Sequence, residues 1–318
     1  MEKESSKTKK DRMADRRARL RVQGFPFAMM TPFLIITSIF VVVPIIIMFI
    51  LSFTDFNFSM KGSFIGLRNY RQIFGYPGMG QILLQTFLFV GVSVVFSVLG
   101  SIFIVIITTF YLDIIYKRKK LGLLFRVLWL VPDLTPTIVY MFMWKFVFGA
   151  ENYGLINKFL AFFGLPSVAW FTDYAMFLLL FTTILKAASG SVILFSSAVS
   201  QIPENVIQSA KVDGASSLTI CFKIVLSYLR WPIMQKTLWT ILGSFCTYES
   251  IKLLTDGGPM AKTTTYAYYI YQNAYDFQEY GYGAALSVFM VIMSTALGML
   301  MLRIFKIDKQ MQDPRMDI

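Results

Sequence analysis

Long apolar stretches alternate with short polar segments along this chain of 318 residues. The first stretch, residues 27–54, contains no charged side chain, and a helix needs about 20 apolar residues to cross the hydrocarbon core of a membrane. Five further segments have a similar length and few charges, so the pattern predicts six spanning helices. They cover residues 27–54, 82–112, 121–148, 173–199, 229–254 and 280–302.

Prolines interrupt two of these segments. Pro44 predicts a kink in the first, and Pro132 and Pro136 flank Asp133 in the third. Because backbone facing lipid cannot leave its hydrogen bonds open, we expect the third span to pack inside the bundle. Between the third and fourth spans, residues 149–172 read as a loop with a short helix near residues 155–163.

The composition agrees with a membrane protein. Hydrophobic residues make up 56% of the chain and charged residues 15%, and the mean hydropathy is +0.61. A soluble domain usually carries about 25% charged residues. The polar side chains are too few to cover a soluble surface, so the apolar excess must face lipid.

The net charge of +12 follows the predicted topology. Nine of the 30 lysines and arginines lie in residues 1–24 and four in residues 117–120. Basic residues collect on cytoplasmic segments, which predicts that both termini are cytoplasmic, with Lys236 counted among the inner residues. The domain organisation is then a basic tail (residues 1–24), a transmembrane domain (residues 25–310) and a cytoplasmic C-terminal tail (residues 311–318).

The residue types argue against an enzyme. The chain has no histidine and two cysteines, Cys221 and Cys246, so it offers no Ser/His/Asp triad, Cys/His pair or histidine metal site. No paired carboxylates accompany a recognisable pocket. The phosphate-binding loop Gly-x4-Gly-Lys-Ser/Thr is also absent from the sequence. We therefore expect no catalytic residues, no bound metal and no cofactor in this chain.

The polar segment at residues 201–227, between the fourth and fifth spans, reads as a surface helix. Pro203 suits the first turn of a helix, and Val206, Ile207 and Ala210 give it an apolar face. Gly214 then ends or bends the helix. Two interpretations stay open on this pattern alone: an interfacial linker, or a docking element for a cytoplasmic partner.

The spacing in this segment resembles the EAA loop of ABC importer permeases. That loop reads Glu-Ala-Ala, three residues, Gly, nine residues, Ile, one residue, Leu-Pro. The corresponding residues here are Gln208-Ser209-Ala210, Gly214, Ile224 and Leu226-Ser227. Three further stretches resemble the carbohydrate-importer branch, of the maltose and glycerol-phosphate permease type: Phe64–Tyr70, Asp256–Pro259 and Gly281–Ser287.

The resemblance implies an all-α, polytopic fold of about six transmembrane helices, the type I ABC importer permease fold. It implies a prokaryotic plasma-membrane subunit that forms half of a sugar pathway, with a second permease as partner. Two ATPase subunits would bind ATP and Mg, and an extracellular solute-binding protein would deliver the carbohydrate. The implied coupling residues are Pro203, Val206, Ile207, Gln208, Ser209, Ala210, Asp213, Gly214 and Ala215. Gln208 stands where the family has Glu, so an ion pair from that position is lost.

Polar and aromatic residues within the spans are candidates for the pathway. Lys186 lies near the middle of the fourth span, where it either faces the pathway or pairs with another group, and Asp133 is one such group. Glu249 and Lys252 lie three residues apart and could pair on one helix face, although a solvated helix end is the simpler interpretation. The candidate pathway residues are Lys186, Tyr140, Trp144, Tyr248 and Glu249.

Two alternatives remain at this stage. One is a permease for another substrate class on the same plan. The other is an autonomous secondary transporter, which would need no coupling loop and would show an intramembrane carboxylate or paired repeats.

Overall fold

The computed structural model describes residues 29–150 and 153–305, and this part of the chain is helical with one isolated β-bridge, between Thr54 and Phe64. The predicted tails therefore lie outside the described residues. In chain order the helices are α1 (Met29–Leu51), α2 (Arg68–Gly75), α3 (Met79–Ile115), α4 (Lys119–Leu134), α5 (Thr137–Val147), α6 (Leu155–Phe162), α7 (Trp170–Asp173), α8 (Ala175–Ser200), α9 (Glu204–Val212), α10 (Ser217–Tyr228), α11 (Arg230–Cys246), α12 (Glu249–Leu254), α13 (Tyr266–Tyr271, continued by π-helical turns at Gln272–Asp276) and α14 (Tyr280–Phe305).

Within residues 29–150 and 153–305, six candidate membrane crossings are found when each bent pair of helices is counted as one. The helices α1, α3, α8 and α14 are each long and apolar enough to cross a membrane. The pairs α4–α5 and α10–α11 also qualify, but they bend by 98° and 61° at their junctions. The predicted number of spans is therefore confirmed, whereas two of the predicted spans are broken helices.

The third span breaks at the prolines. Pro136 supplies no N–H, and the residue before a proline is pushed towards extended geometry, as Thr135 shows with a ψ of 128°. The expectation that this span packs inside the bundle is wrong for α4. Gly122 is the one buried residue of α4, while Leu124 and Leu128 are more than half exposed. The bundle need not cover the break, because a lysine from α8 pairs with its open carbonyl.

The fifth span ends earlier than predicted. α11 stops at Cys246, Thr247 is extended, and α12 begins a separate short helix that packs on α5. Glu249 and Lys252 therefore do not lie on the end of a span, and they do not pair with each other. The Nζ of Lys252 instead lies 3.0 Å from Asp256 and 3.4 Å from Asp276.

Small residues bring the central helices α3 and α8 together. Ser93, Ser97 and Ser101 recur at every fourth position of α3 and are fully buried. Lipid is as apolar as a leucine side chain, so helices in a membrane associate through close packing and interhelical hydrogen bonds. The hydroxyl of Ser101 donates to the carbonyl of Ala188 on α8 at 2.8 Å. The serine stripe therefore sets a short distance between the two helices.

Glycine allows a second close approach, at the end of the bundle where α1 ends and α14 begins. A Cβ added at Gly281, at the start of α14, would collide with the carbonyl of Thr54, and the N–H of Gly281 donates to the carbonyl of Phe56 at 2.8 Å. The loop after α1 is also fixed by Asn69, whose amide donates to the carbonyls of Ser52 and Thr54. These contacts give a structural role to two of the family-like stretches.

Asn157 of α6 organises the loop between α5 and α8. Its buried amide donates to the carbonyls of Gly149 and Val168, and its carbonyl accepts from the N–H of Val168 and from Nε1 of Trp170, all at 3.0–3.1 Å. All of its hydrogen-bonding groups are thus engaged. The predicted short helix near residues 155–163 is confirmed.

We expect Asn157→Ala to lower the free energy of unfolding by about 2 kcal/mol or more, because it leaves several buried polar groups unpaired at once. The measurement is the apparent melting temperature of the purified protein in detergent. Lys158→Ala changes the exposed neighbour on the same helix and should leave that temperature unchanged. Equal melting temperatures for both variants would contradict the assigned role of Asn157.

Candidate functional site

A short helix with well-defined ends, α9, lies between the fourth and fifth spans. Pro203 precedes its first residue with an extended ψ of 135°. At the other end Gly214 has a φ of +79°, which favours glycine because a side chain is strained in the left-handed region. The N–H of Ala215 then donates to the carbonyl of Ala210 at 2.9 Å. This closure is typical of helix C-termini, and it confirms the predicted helix end at Gly214.

The apolar face of α9 points into the protein. Ile207 is 3% exposed and belongs to a buried cluster with Val199 of α8 and Val225 of α10. Val206 and Ala210 are half-buried. These three residues, which the family resemblance assigns to the docking surface, therefore anchor the helix to the bundle. An amphipathic pattern predicts that one face of a helix is buried. It does not show whether the same protein or a partner protein covers that face.

The opposite side of α9 is exposed. Gln208, Ser209 and Asp213 are exposed there, and the side chain of Val212 is 87% exposed. Two apolar side chains of α10, Leu218 and Phe222, are also more than half exposed. We call these six residues the exposed loop face. Sequence reasoning missed Val212, Leu218 and Phe222, although the four-residue spacing of Gln208 and Val212 could have indicated a second face.

An ion pair ties the start of α9 to the loop after α3. The Nζ of Lys117 lies 2.8 Å from Oε1 of Glu204. This hydrogen bond and charge lower the pKa of the Glu204 carboxyl below its usual value. Both side chains are largely exposed, and exposed pairs stabilise little. The pair therefore places α9 beside the end of α3 more than it strengthens the fold.

A second, more buried ion pair joins α3 and α4. Arg126 Nη1 lies 2.6 Å from Asp113 Oδ2 and also donates to Thr109 at 2.9 Å. Gly122 lies one turn before Arg126, and a Cβ there would collide with Asp113. The glycine thus permits the close approach that the ion pair needs.

A cavity of about 440 Å³ opens at the broken helices. It is bounded by the α4–α5 junction, α8, α11 and the start of α12. Among its lining residues are Asp133, Thr137, Thr183, Lys186, Lys236, Trp239, Tyr248 and Glu249. Three of the five predicted pathway residues, Lys186, Tyr248 and Glu249, therefore share one cavity.

The ammonium group of Lys186 is held by oxygen atoms at the break in the third span. Its Nζ donates to the carbonyl of Thr135 at 2.9 Å and to the hydroxyl of Thr137 at 3.1 Å. A charge in a membrane costs about 2.5–3.5 kcal/mol on insertion scales, and these contacts offset part of that cost. Lys186 thus has a structural partner and also lines the cavity, so the two interpretations left open for it are compatible.

Tyr140 contacts Lys186 from a buried position outside the cavity lining. It is 2% exposed, its hydroxyl donates to the carbonyl of Thr182 at 3.0 Å, and the Lys186 ammonium lies 5.4 Å from its ring centroid. Trp144 packs against Tyr140 and Phe148 and is not among the cavity-lining residues. The structure therefore places these two predicted pathway residues behind the cavity wall.

Lys236 is the cavity residue that sequence reasoning misplaced. It was counted with the cytoplasmic lysines, but it lies within α11 and its Nζ donates to the carbonyl of Ala187 at 3.0 Å. That carbonyl belongs to the break inside α8, where the N–H of Ser191 bonds Ala188 instead. The break was not predicted, because Gly190 and Ser191 also occur within continuous transmembrane helices.

The architecture is that of a transport permease: a multi-pass helical bundle, a polar cavity within its spans and an anchored surface helix between two of them. The family described as "Binding-protein-dependent transport system inner membrane component" matches residues 115–311, and the chain belongs to that family. This is a family of transport permease components rather than of enzymes.

Individual relatives extend the similarity over most of the chain. The probable ABC transporter permease protein YurN of Bacillus subtilis is 26% identical over 290 residues, which cover 90% of this chain and 97% of that protein. The trehalose/maltose transport system permease protein MalF of Thermococcus litoralis is 26% identical over 275 residues, covering 84% and 90%.

A solved structure shares the fold. A chain of a bacterial alginate ABC transporter, in complex with an alginate pentasaccharide-bound periplasmic protein, aligns with a TM-score of 0.77 at 19% sequence identity. The alignment covers 90% of this chain and 95% of that chain. The expected importer permease fold is therefore confirmed.

We expect Ile207→Ala to destabilise the protein by about 2–5 kcal/mol, because it opens a cavity in a packed cluster. Val212→Ala, on the other side of the same helix, should change stability by about 0.5 kcal/mol or less. Apparent melting temperatures in detergent compare the two variants. If Val212→Ala were the more destabilising, the assigned orientation of α9 would be wrong.

Proposed function

We propose that this chain is one permease subunit of an ATP-driven, binding-protein-dependent importer of carbohydrates. The observation that carries the proposal is α9, which is anchored to the bundle by Ile207 and exposes its other face. Family membership supports the importer class. The carbohydrate substrate is supported by the name of the MalF relative. It is also supported by the three stretches that resemble the carbohydrate-importer branch, Phe64–Tyr70, Asp256–Pro259 and Gly281–Ser287.

In this proposal the exposed loop face docks on an ATPase subunit. ATP and Mg bind to two such subunits and not to this chain. Their closure on ATP displaces α9, and the buried contacts of Ile207 pass the displacement to α8 and α10. The coupling requires that ATP bind one global state of the importer more tightly than the other.

The cavity between the broken helices forms this chain's half of the pathway. A second permease completes it, and an extracellular solute-binding protein delivers the sugar from the side of α12. In the proposed orientation, α9 and both termini are in the cytoplasm of a prokaryotic cell. The ion pair between Lys117 and Glu204 supports it, because it joins two segments assigned to that same side.

Gln208 gives the exposed loop face a neutral amide at a position where the family motif has a carboxylate. It is exposed on α9 at the position where the family motif has Glu. An amide donates and accepts hydrogen bonds but carries no charge. The contact with the ATPase at this position is therefore a neutral hydrogen bond, and the apolar side chains of Val212, Leu218 and Phe222 carry more of the docking.

The test is co-purification of the complex from membranes that express all its subunits. The unaltered chain should recover a second permease and an ATPase. Val212→Glu places a charge on the exposed loop face and should abolish ATPase recovery at an unchanged melting temperature. Met260→Glu changes a residue that is 90% exposed between α12 and α13, and it should retain the ATPase.

Loss of the ATPase from both variants would point to a general assembly defect rather than to docking. Recovery of the unaltered chain alone, still active in substrate flux, would contradict the proposal and favour an autonomous transporter.

Gly214→Val tests the end of the coupling helix. A Cβ at this position meets no neighbouring atom, but the positive φ disfavours a branched side chain. We expect α9 to lose its closing turn, and ATP-driven uptake and substrate-stimulated ATPase activity to fall together. Unchanged uptake and ATPase stimulation would remove Gly214 from the coupling mechanism.

A further inference from the structure

Two lysine side chains line the same cavity, and neither forms an ion pair with a carboxylate among the described residues. Lys186 and Lys236 come from different helices, and both line the cavity. Their hydrogen-bond acceptors are the carbonyls of Thr135 and Ala187 and the hydroxyl of Thr137. No carboxylate lies within ion-pair distance of either Nζ in the described part of the chain. Neutral oxygens fix a cation in place but do not cancel its charge.

Two carboxylates, Asp133 and Glu249, line the same cavity but lie beyond ion-pair distance of both lysines. Asp133 lies against the break in α8, where its Oδ1 is 3.0 Å from the place a Cβ would take on Gly190. Glu249 is in the first turn of α12. Glu249 thus lies at a helix start, where the helix dipole favours negative charge, whereas Asp133 belongs to the last turn of α4. Neither anion forms an ion pair with Lys186 or Lys236, so both ammonium groups can contact a ligand directly.

Both lysines also keep unused hydrogen-bond donors. A lysine ammonium has three N–H donors and no acceptor. Lys186 donates to two protein atoms and Lys236 to one. The remaining N–H groups belong to side chains whose positions are already fixed, so a ligand meets them with little further loss of side-chain entropy.

We propose that the transported carbohydrate is anionic, and that its carboxylate, sulfonate or phosphate group binds between Lys186 and Lys236. This inference rests on the proposed function and specifies its substrate. The indole of Trp239 is 69% exposed and lines the same cavity, so it offers an apolar surface to a sugar ring. Asp133 and Glu249 accept hydrogen bonds from sugar hydroxyls. The cavity volume lies in the range of small-molecule sites.

The experiment uses cells that express the complete importer, beside cells whose ATPase subunits are inactive. Both receive a mixture of neutral oligosaccharides and oligosaccharides that carry uronate, sulfonate or phosphate groups. Mass spectrometry identifies the solutes that accumulate in an ATPase-dependent way. We expect an anionic carbohydrate. Because this step uses the unaltered chain, it decides the substrate class without any variant.

Variants then test the two lysines with the imported solute. Lys236→Gln retains a donor for the Ala187 carbonyl but removes the charge, and we expect uptake to fall about tenfold or more, as for a lost charge-assisted hydrogen bond. Lys186→Gln should act alike, and Lys236→Arg should retain uptake. Lys145→Gln removes an equal charge from an exposed position on α5 and should leave uptake unchanged. Gel filtration confirms that each variant assembles.

The outcomes separate the two levels of the proposal. ATPase-dependent import of neutral sugars alone would overturn the anionic substrate and leave the importer function intact. Absence of any ATPase-dependent carbohydrate import would overturn both. An anionic sugar that enters at the normal rate in Lys186→Gln and in Lys236→Gln would show that these lysines only pair with the open carbonyls of the helix breaks.

Discussion

A backbone carbonyl inside a membrane must find a hydrogen-bond donor, and much of this structure depends on how that requirement is met at broken helices. The third span opens at Thr135 and the fourth near Ala187, and each opening exposes a carbonyl that no helical N–H reaches. Lys186 and Lys236 supply the missing donors. Lys186 reaches from α8 to the break between α4 and α5, and Lys236 reaches from α11 to the break in α8. Each break is therefore bonded to a neighbouring helix. The cavity lies where these helices break, and its two lysines are the side chains that make the breaks tolerable.

Charged side chains are also paired near the surface helix α9. Asp113 and Arg126 pair where Gly122 lets α4 approach α3, and Lys117 reaches from the neighbouring loop to the start of α9. The end of α3, the first half of α4 and the start of α9 are therefore linked by charge, while Ile207 links α9 to α8 and α10 by packing. A displacement of α9 acts on helices that border the cavity, which gives the proposed coupling a continuous physical route.

Sequence reasoning located the spans because the length and polarity of a stretch are local properties. It also found both ends of α9, since Pro203 and Gly214 have strong local preferences. It failed where the answer depended on partners distant in sequence. Ile207 and Val212 are both apolar residues of α9, and only the fold shows that the first is buried and the second exposed. Lys236 read as a cytoplasmic charge because its acceptor, the Ala187 carbonyl, is free only when α8 breaks. The role of Asn157 likewise required the loop to bring Gly149 and Val168 to one side chain.

The serine stripe of α3 has a mechanical consequence. The hydroxyls of Ser97 and Ser101 donate to carbonyls one turn earlier on their own helix, and Ser101 also reaches Ala188 of α8. The small side chains of the stripe present a smooth surface with little interlocking, and two of the three bond within their own helix. The stripe itself is therefore suited to sliding along the helix axis. The hydrogen bonds that cross from α3 to α8 include those of Ser101 to Ala188 and of Thr109 to Ser196. A permease that must alternate between two shapes can shift these helices in their packed state without exposing new polar groups to lipid.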